Sequence, residues 1–537
     1  MARELDARKP RDLLARLLDA PHLPEVVRSL EPQVLHRLVT VCGLEDCSEI
    51  VALATPEQLM GVLDIDVWRN DTPGQDDRLD IARFGLWLEV LVDAGVEIAA
   101  EKLVGLDIDF VTAALSRQLT ILNHVPTERD RDNGPWCTIE GYTIVAKHSD
   151  SWDAIQAVLV QLAAAHRDFF ALLMNRCWRI AMAHIDDNGI LYHVLGLREQ
   201  VMSEVAAERE ERREKQGFVT PAQAVAFLEG SRRVRLDQDV APRRDPITSS
   251  YFRDLARHIR PSSGQSAIAS SGPAPAVATA GFVETLREAG IIGEGPRPLL
   301  SGGTAGEAGP LSRIRTHLQL VAEQNPTVSA TRHEELAYLA NALVAGCPFD
   351  SDRFSGVQAS DAAVAVCNLG LENWPRRWRP GADSLSADFL VSHDLVTVFQ
   401  VGWAVLHESV GINVSRRLLT TLARLRCDDR EVQADVEELC GWLRQYISAG
   451  TPWRVRDRLE VIAILDTPAW LTLAGLLDQC PVVPRRLEPP KIPKRMLRVA
   501  ADYEFISENR QIAWVESFME HLPEALESGK SMWNAQC

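Results

Sequence analysis

Apolar residues recur every three or four positions through the first 120 residues, in "DLLARLLDA", "EVVRSL", "PQVLHRLVTVCG", "PEQLMGVL" and "DIARFGLWLEVLVDAG". That period marks one face of an α-helix. Proline at Glu31-Pro32 and Thr55-Pro56 suits a first helical turn, so residues 10–123 read as a helical-repeat domain of short helices. The pattern changes at 136–148, "WCTIEGYTIVAKH", which is β-branched and aromatic with Gly141 at a turn, and predicts a small β element. Residues 151–184 then read as one long helix, ended by "DDNG" at 186–189. Another helix runs to Gly217, and a short one opens at Thr220-Pro221. Together these make a central helical domain over 124–239.

Composition then shifts. In "PSSGQSAIASSGPAPAVATA" (261–280), sixteen of twenty residues are Pro, Gly, Ser or Ala, and "SGGTAGEAGP" follows at 301–310. Such tracts bury too little apolar surface to offset their ordering entropy. Residues 240–310 are therefore read as a disordered linker. A second helical block occupies 311 to about 478, followed by a Pro-rich basic segment, "CPVVPRRLEPPKIPKRMLR", and a last helix near 503–528. A chain of 537 residues exceeds what one core supports. The fold class is all-α with one small β element: helical repeats or bundles in two blocks, the second being a C-terminal domain over 311–537.

Within the first block, "EQLMGVLDIDVW" (57–68) echoes "EKLVGLDIDFV" (101–111). The period of about 43 falls in the range of two-helix solenoid units. The echo sets Asp64 and Asp66 against Asp107 and Asp109. Carboxylates at short range suit a hard cation, Mg²⁺ or Ca²⁺. One Asp of each pair can equally cap a helix N-terminus, which needs nothing further, and capping is the reading taken. "HIDDNGILYH" offers His184 and His193 as metal ligands if the chain folds back on itself, but the same residues are ordinary helix-ending chemistry. His393 and His407 lie about 21 Å apart along one helix, too far to share a site. Without an HExxH spacing, that helix reads as buried with polar ends. The chain carries no GxSxG elbow and no GxGxxG or GxxxxGK[ST] loop.

Charge narrows the partners. A net charge of −18 opposes wholesale nucleic-acid binding, which depends on neutralising phosphates. The basic residues are nearly all arginine throughout, which reads as compositional bias. "LENWPRRWRPG" (371–381) could offer Trp374 and Trp378 as stacking platforms. Because Pro375 forces a turn, the segment reads instead as a loop anchored by a buried Trp374. Ten cysteines without a CxxC pair read as buried free thiols of a reducing compartment. The charged start and the interruption of the apolar tract 461–483 by Asp466, Pro468 and Asp478 argue for a cytoplasmic protein with no membrane span.

"REERREKQGFVTPAQAVAFLEG" (208–230), "RHEELAYLANALVAGC" (332–347) and "VCNLGLENWPRRW" (366–378) resemble segments of a family of uncharacterised bacterial helical proteins, which implies no activity. The first 120 residues are similar in pattern to the helical N-terminal domain of MgtE-type magnesium channels. That resemblance implies a superhelix of short helices. Transport is not implied, because the membrane span is missing. The expected function is a cytoplasmic helical interaction, scaffold or regulatory protein with a protein partner and no cofactor. The alternative is a metal-dependent enzyme or a divalent-cation-binding protein using Mg or Ca, with carboxylate and histidine ligands assembled by the fold.

Overall fold

The computed structural model describes residues 8–19, 22–69, 77–122, 134–182, 191–215, 218–239, 241, 244, 246–258, 285–286, 312–350, 352–378, 389–424, 430–449, 467–485 and 503–534. These residues are mainly helical, with a few small sheets. They divide into two compact units. The first comprises Met1–Asn70, Asp77–Gln216 and Ile259–Gly295, and the second holds residues 71–76, 217–258 and 296–537. Residues 134–215 thus group with the N-terminal helices and the helix at Thr220-Pro221 with the C-terminal ones, where the sequence pattern had put both into one central domain.

The first unit opens with five short helices, α1 (Arg8–Leu18), α2 (Leu23–Ser29), α3 (Pro32–Cys42), α4 (Ser48–Leu53) and α5 (Pro56–Asp66). Proline starts α3 and α5 as expected. Thr55 caps α5 by accepting from Gln58 N–H while the Gln58 side chain accepts from Thr55 N–H, a reciprocal box that satisfies two end donors. A two-stranded ribbon, β1 (Trp68–Arg69) with β2 (Arg78–Leu79), leads into α6 (Ile81–Ala94), α7 (Val96–Gly105) and α8 (Ile108–Gln118). Their apolar faces meet in a core where Phe84 packs edge-on to Phe110 at 5.7 Å beside the buried Trp87.

The predicted β element is a three-stranded sheet. β4 (Trp136–Ile139) and β5 (Tyr142–Ala146) form a hairpin whose turn residues, Glu140 and Gly141, both take positive φ, the geometry that matches strand twist. β3 (Leu119–Leu122), which the pattern did not separate from the helix before it, pairs with β5 on the other side. The long helix expected over 151–184 is two helices, α9 (Trp152–Ala165) and α10 (Arg167–Met182). His166 leaves helical dihedrals (φ −132°, ψ 54°) and breaks the ladder. α11 (Leu191–Lys215) follows, and Leu286, much later in the chain, joins the same core.

The second unit begins with α12 (Pro221–Arg232) and α13 (Pro246–His258). α13 lies inside the segment expected to be a disordered linker. Its aromatic pair Tyr251 and Phe252 packs against Tyr338, so the low-complexity composition had been extended too far toward the N-terminus. Apart from 241, 244, 246–258 and 285–286, that segment lies outside the described residues. Then follow α14 (Ser312–Gln324), α15 (Pro326–Gly346), the ribbon β6 (Pro348–Phe349) with β7 (Asp352–Arg353), α16 (Gly356–Glu372), α17 (Phe389–Ser392) and α18 (Leu395–Val405). α18 runs through a π-helical segment, Leu406–Ile412, into α19 (Asn413–Arg424). α20 (Arg430–Ala449) and α21 (Thr467–Leu476) come next, and β8 (Val482–Pro484) pairs with β9 (Tyr503–Phe505) ahead of α22 (Asn509–Asn534). The last helix therefore starts later than expected, because 503–505 is spent on a strand.

The run Leu395–Arg424 is long and apolar enough to cross a bilayer, yet 83% of its apolar window is buried within the protein. It is the core of this unit. Gly370 of α16 and Gly402 of α18 let the two backbones touch: a Cβ on Gly402 would lie 1.9 Å from the Val366 carbonyl oxygen. On the other side Phe399 stacks on Phe227 of α12 at 5.9 Å, and Phe227 meets Tyr338 at 5.4 Å.

Candidate functional site

The first "LDID" lies in the last turn of α5, and its carboxylates meet arginines. Asp66 accepts from Arg83 Nε (2.6 Å) and Nη2 (3.2 Å) and from Trp87 Nε1 (2.6 Å), with His36 Nε2 at 3.3 Å. Burial alone would raise this carboxyl, but donors from His36, Arg83 and Trp87 together hold it far below the ordinary carboxylate range. The Asp64 carboxylate accepts from Arg212 Nε (2.8 Å) and Nη2 (3.0 Å), while Arg209 donates to the Asp64 carbonyl and to Asp77, each at 2.8–2.9 Å. Deeper burial with fewer donors pushes the Asp64 carboxyl up. Arg209 also lies 4.7 Å over the Trp68 ring.

The second "LDID" is built differently. Asp107 caps α8, accepting from the N–H groups of Asp109 and Phe110, and Asp109 pairs with Arg176. Capping thus holds at Asp107 and not in the first copy, where both aspartates are inside a helix. The echo is one of sequence, not of position. Among the described residues no group of three or more His, Cys, Asp or Glu comes together in ligating geometry. His184 lies outside the described residues. His193 falls in α11 with its side chain outside them.

In the second unit Glu335, fully buried, accepts from Arg332 (2.8 and 2.9 Å), from Arg244 and from the Leu395 N–H at the start of α18 (2.8 Å). The segment 371–378 is anchored as expected. Trp374 sits edge-on to Trp378, Phe389 and His393, each within 5.2 Å, and Trp378 Nε1 donates to the Gln238 carbonyl at 2.8 Å. Among the described residues seven of the eight thiols are buried, Cys137 being half-buried: burial pushes Cys177 up to about 12 and drives Cys347, Cys367 and Cys480 upward too.

One cluster is different. Gln400, Trp403 and His407 are spaced i, i+3, i+7, about 60° of arc on one face. Gln400 Oε1, Trp403 Nε1 and both His407 ring nitrogens are buried without a hydrogen-bond partner. His407 is 3% exposed, and Trp403 meets it edge-on at 4.6 Å. From α12, Arg232 brings two shielded Nη atoms that also have no acceptor, with its guanidinium 5.5 Å from the Tyr446 ring of α20. Gly411 in the π segment stands at the join. A Cβ there would lie 2.7 Å from Tyr446 Oη and 3.7 Å from His407 Nδ1, so hydroxyl and imidazole converge on one point. Burial, assisted by the charge of Arg232, lowers His407 well below the ordinary imidazole value and keeps it neutral near pH 7. The 400/403/407 spacing was visible in the sequence. Arg232, 175 residues earlier, was not.

This is a mainly α-helical protein of two compact units, each with buried ion pairs, and the second carries an unpartnered polar stripe on α18 and the π segment after it. Residues 1–189 match a family of unknown function (DUF6178). No curated protein and no solved structure matches the chain. The matched residues precede the three segments that carried the resemblance to an uncharacterised family, and the pattern similarity to MgtE-type channels has no counterpart in these findings.

Proposed function

We propose that the protein is a cytoplasmic helical interaction or regulatory protein, whose units present surfaces to a protein partner. The observation that carries this reading is where the chemistry-bearing side chains go. Asp64, Asp66, Asp109 and Glu335 are each neutralised by arginine, and Asp107 is spent on a helix cap. Buried thiols of raised pKa are poor nucleophiles. Meanwhile Val160 and Leu172 of the first unit and Val357 and Trp514 of the second stay exposed, each a place where a partner could gain apolar burial. Capture of the full chain from its native cells after in-cell crosslinking tests the reading. A protein recovered repeatedly, which rebinds the purified chain and loses affinity for L172E or W514E, supports it. Recovery of no specific protein overturns it.

A further inference from the structure

We propose that the second unit holds a binding site for a small oxyanion, a carboxylate or phosphate group, at the π-helical turn, with Arg232 as its charged donor and His407, Trp403 and Tyr446 as neutral ones. This stands apart from the interaction reading and does not depend on it.

Donors outnumber acceptors in this cluster. Arg232 offers the N–H groups of two Nη atoms, Trp403 a single indole N–H, and neutral His407 one ring N–H; the acceptors are Gln400 Oε1 and the other ring nitrogen of His407. A guanidinium cannot shed its proton, and its shielded nitrogens left without an acceptor carry the full desolvation penalty. Elsewhere in this chain the same problem is solved from within: Arg209 meets Asp77, Arg212 meets Asp64 and Arg332 meets Glu335. Asp478, which like Arg232 acts on the Cys347 thiol, accepts from the Asp350 N–H at 3.0 Å.

A surplus of donors around one fixed positive charge selects a ligand rich in acceptors and negatively charged. It excludes a metal cation, which Arg232 would repel and for which His407 is the single strong ligand in the set. The π segment supports the same reading. Such segments are frequent at functional sites. Gly411 lets Tyr446 Oη and His407 Nδ1 approach the same stretch of backbone, where any larger residue would push the hydroxyl away.

The test titrates the full-length chain with inorganic phosphate and, separately, with malonate, following the thermal midpoint and the histidine ¹H–¹³C NMR signals, that of His407 being assigned through H407Q. Saturable stabilisation by one of the two, with movement of the His407 signal, is expected; which anion succeeds tells phosphate from carboxylate. R232M should weaken binding about tenfold or more, and Y446F, which removes one hydroxyl, should weaken it less. No saturable response to either anion overturns the proposal. So does a response that R232M and Y446F, both folded by circular dichroism, leave unchanged, since that is an adventitious ion only.

Discussion

Asp66 and His407 are both ionisable groups taken out of water by helices, and they are treated in opposite ways. Around Asp66 the first unit gathers an arginine, an indole and an imidazole, so the charge is kept and the carboxylate is well supplied with donors. Around His407 the second unit gathers an indole N–H and the two Nη atoms of an arginine that have no hydrogen-bond partner, with Gln400 Oε1 in the same state two turns earlier on the helix. A satisfied network fixes one arrangement of helices. An unsatisfied one stores affinity for whatever supplies the missing acceptors. The contrast is between these two clusters, since each unit also has buried polar atoms of the other kind: Trp178 Nε1 of the first has no partner, and Glu335 of the second is fully paired.

The largest effect should come from breaking a satisfied pair. Arg209 and Asp77 are both 5% exposed, and R209M removes the closer of two arginines from a buried carboxylate, leaving Arg213 at 3.5 Å, so it should cost about 3 kcal/mol in urea unfolding of the full chain. A change below ~1 kcal/mol would show that the first unit's network is ornamental. Next, G402A drives a Cβ against the Val366 carbonyl and must part α16 from α18, at a cost of about 1–3 kcal/mol. G230A, with nothing within 4 Å, should instead gain about 0.5–1 kcal/mol from helix propensity.

The comparison also has a pH signature. The folded pKa of Asp66 is depressed, so the unfolded chain takes up that proton first. The stability it confers is present above about pH 4 and is lost as pH falls further toward the folded value. His407 is depressed as well, but as a base: neutral in the fold and facing Arg232 and Tyr446, it is protonated in the unfolded chain below about 6.5. Stability therefore declines from pH 6.5 downward, and the second unit should weaken before the first. H407Q should flatten the unfolding midpoint between pH 6.5 and 5, and D66N should flatten it only below pH 4. An unchanged slope in H407Q would mean that His407 is hydrated.

Much of this fold was legible because its signals are local. Thr55, Pro56 and Gln58 write a helix start within four residues, and Gly141 writes the hairpin. What failed was local ambiguity or distance. "LTIL" at 119–122 suits a helix as well as a strand, and it became β3 because β5 was there to pair with it. The twin "LDID" reads alike in both copies, yet one sits inside α5 and the other at the α7–α8 junction. The partners that decide the chemistry lie far away along the chain: Arg212 is 148 residues from Asp64, a separation no spacing rule reaches.

The most direct test of the contrast is to remove one arginine from each unit and compare urea unfolding of R209M with that of R232M. Arg232 has no internal acceptor at its Nη atoms, so R232M should be neutral or stabilising within ~1 kcal/mol in anion-free buffer, while R209M loses several. Equal destabilisation of the two would mean that Arg232 is paired within the fold, and the distinction between a closed and a reserved cluster would be wrong.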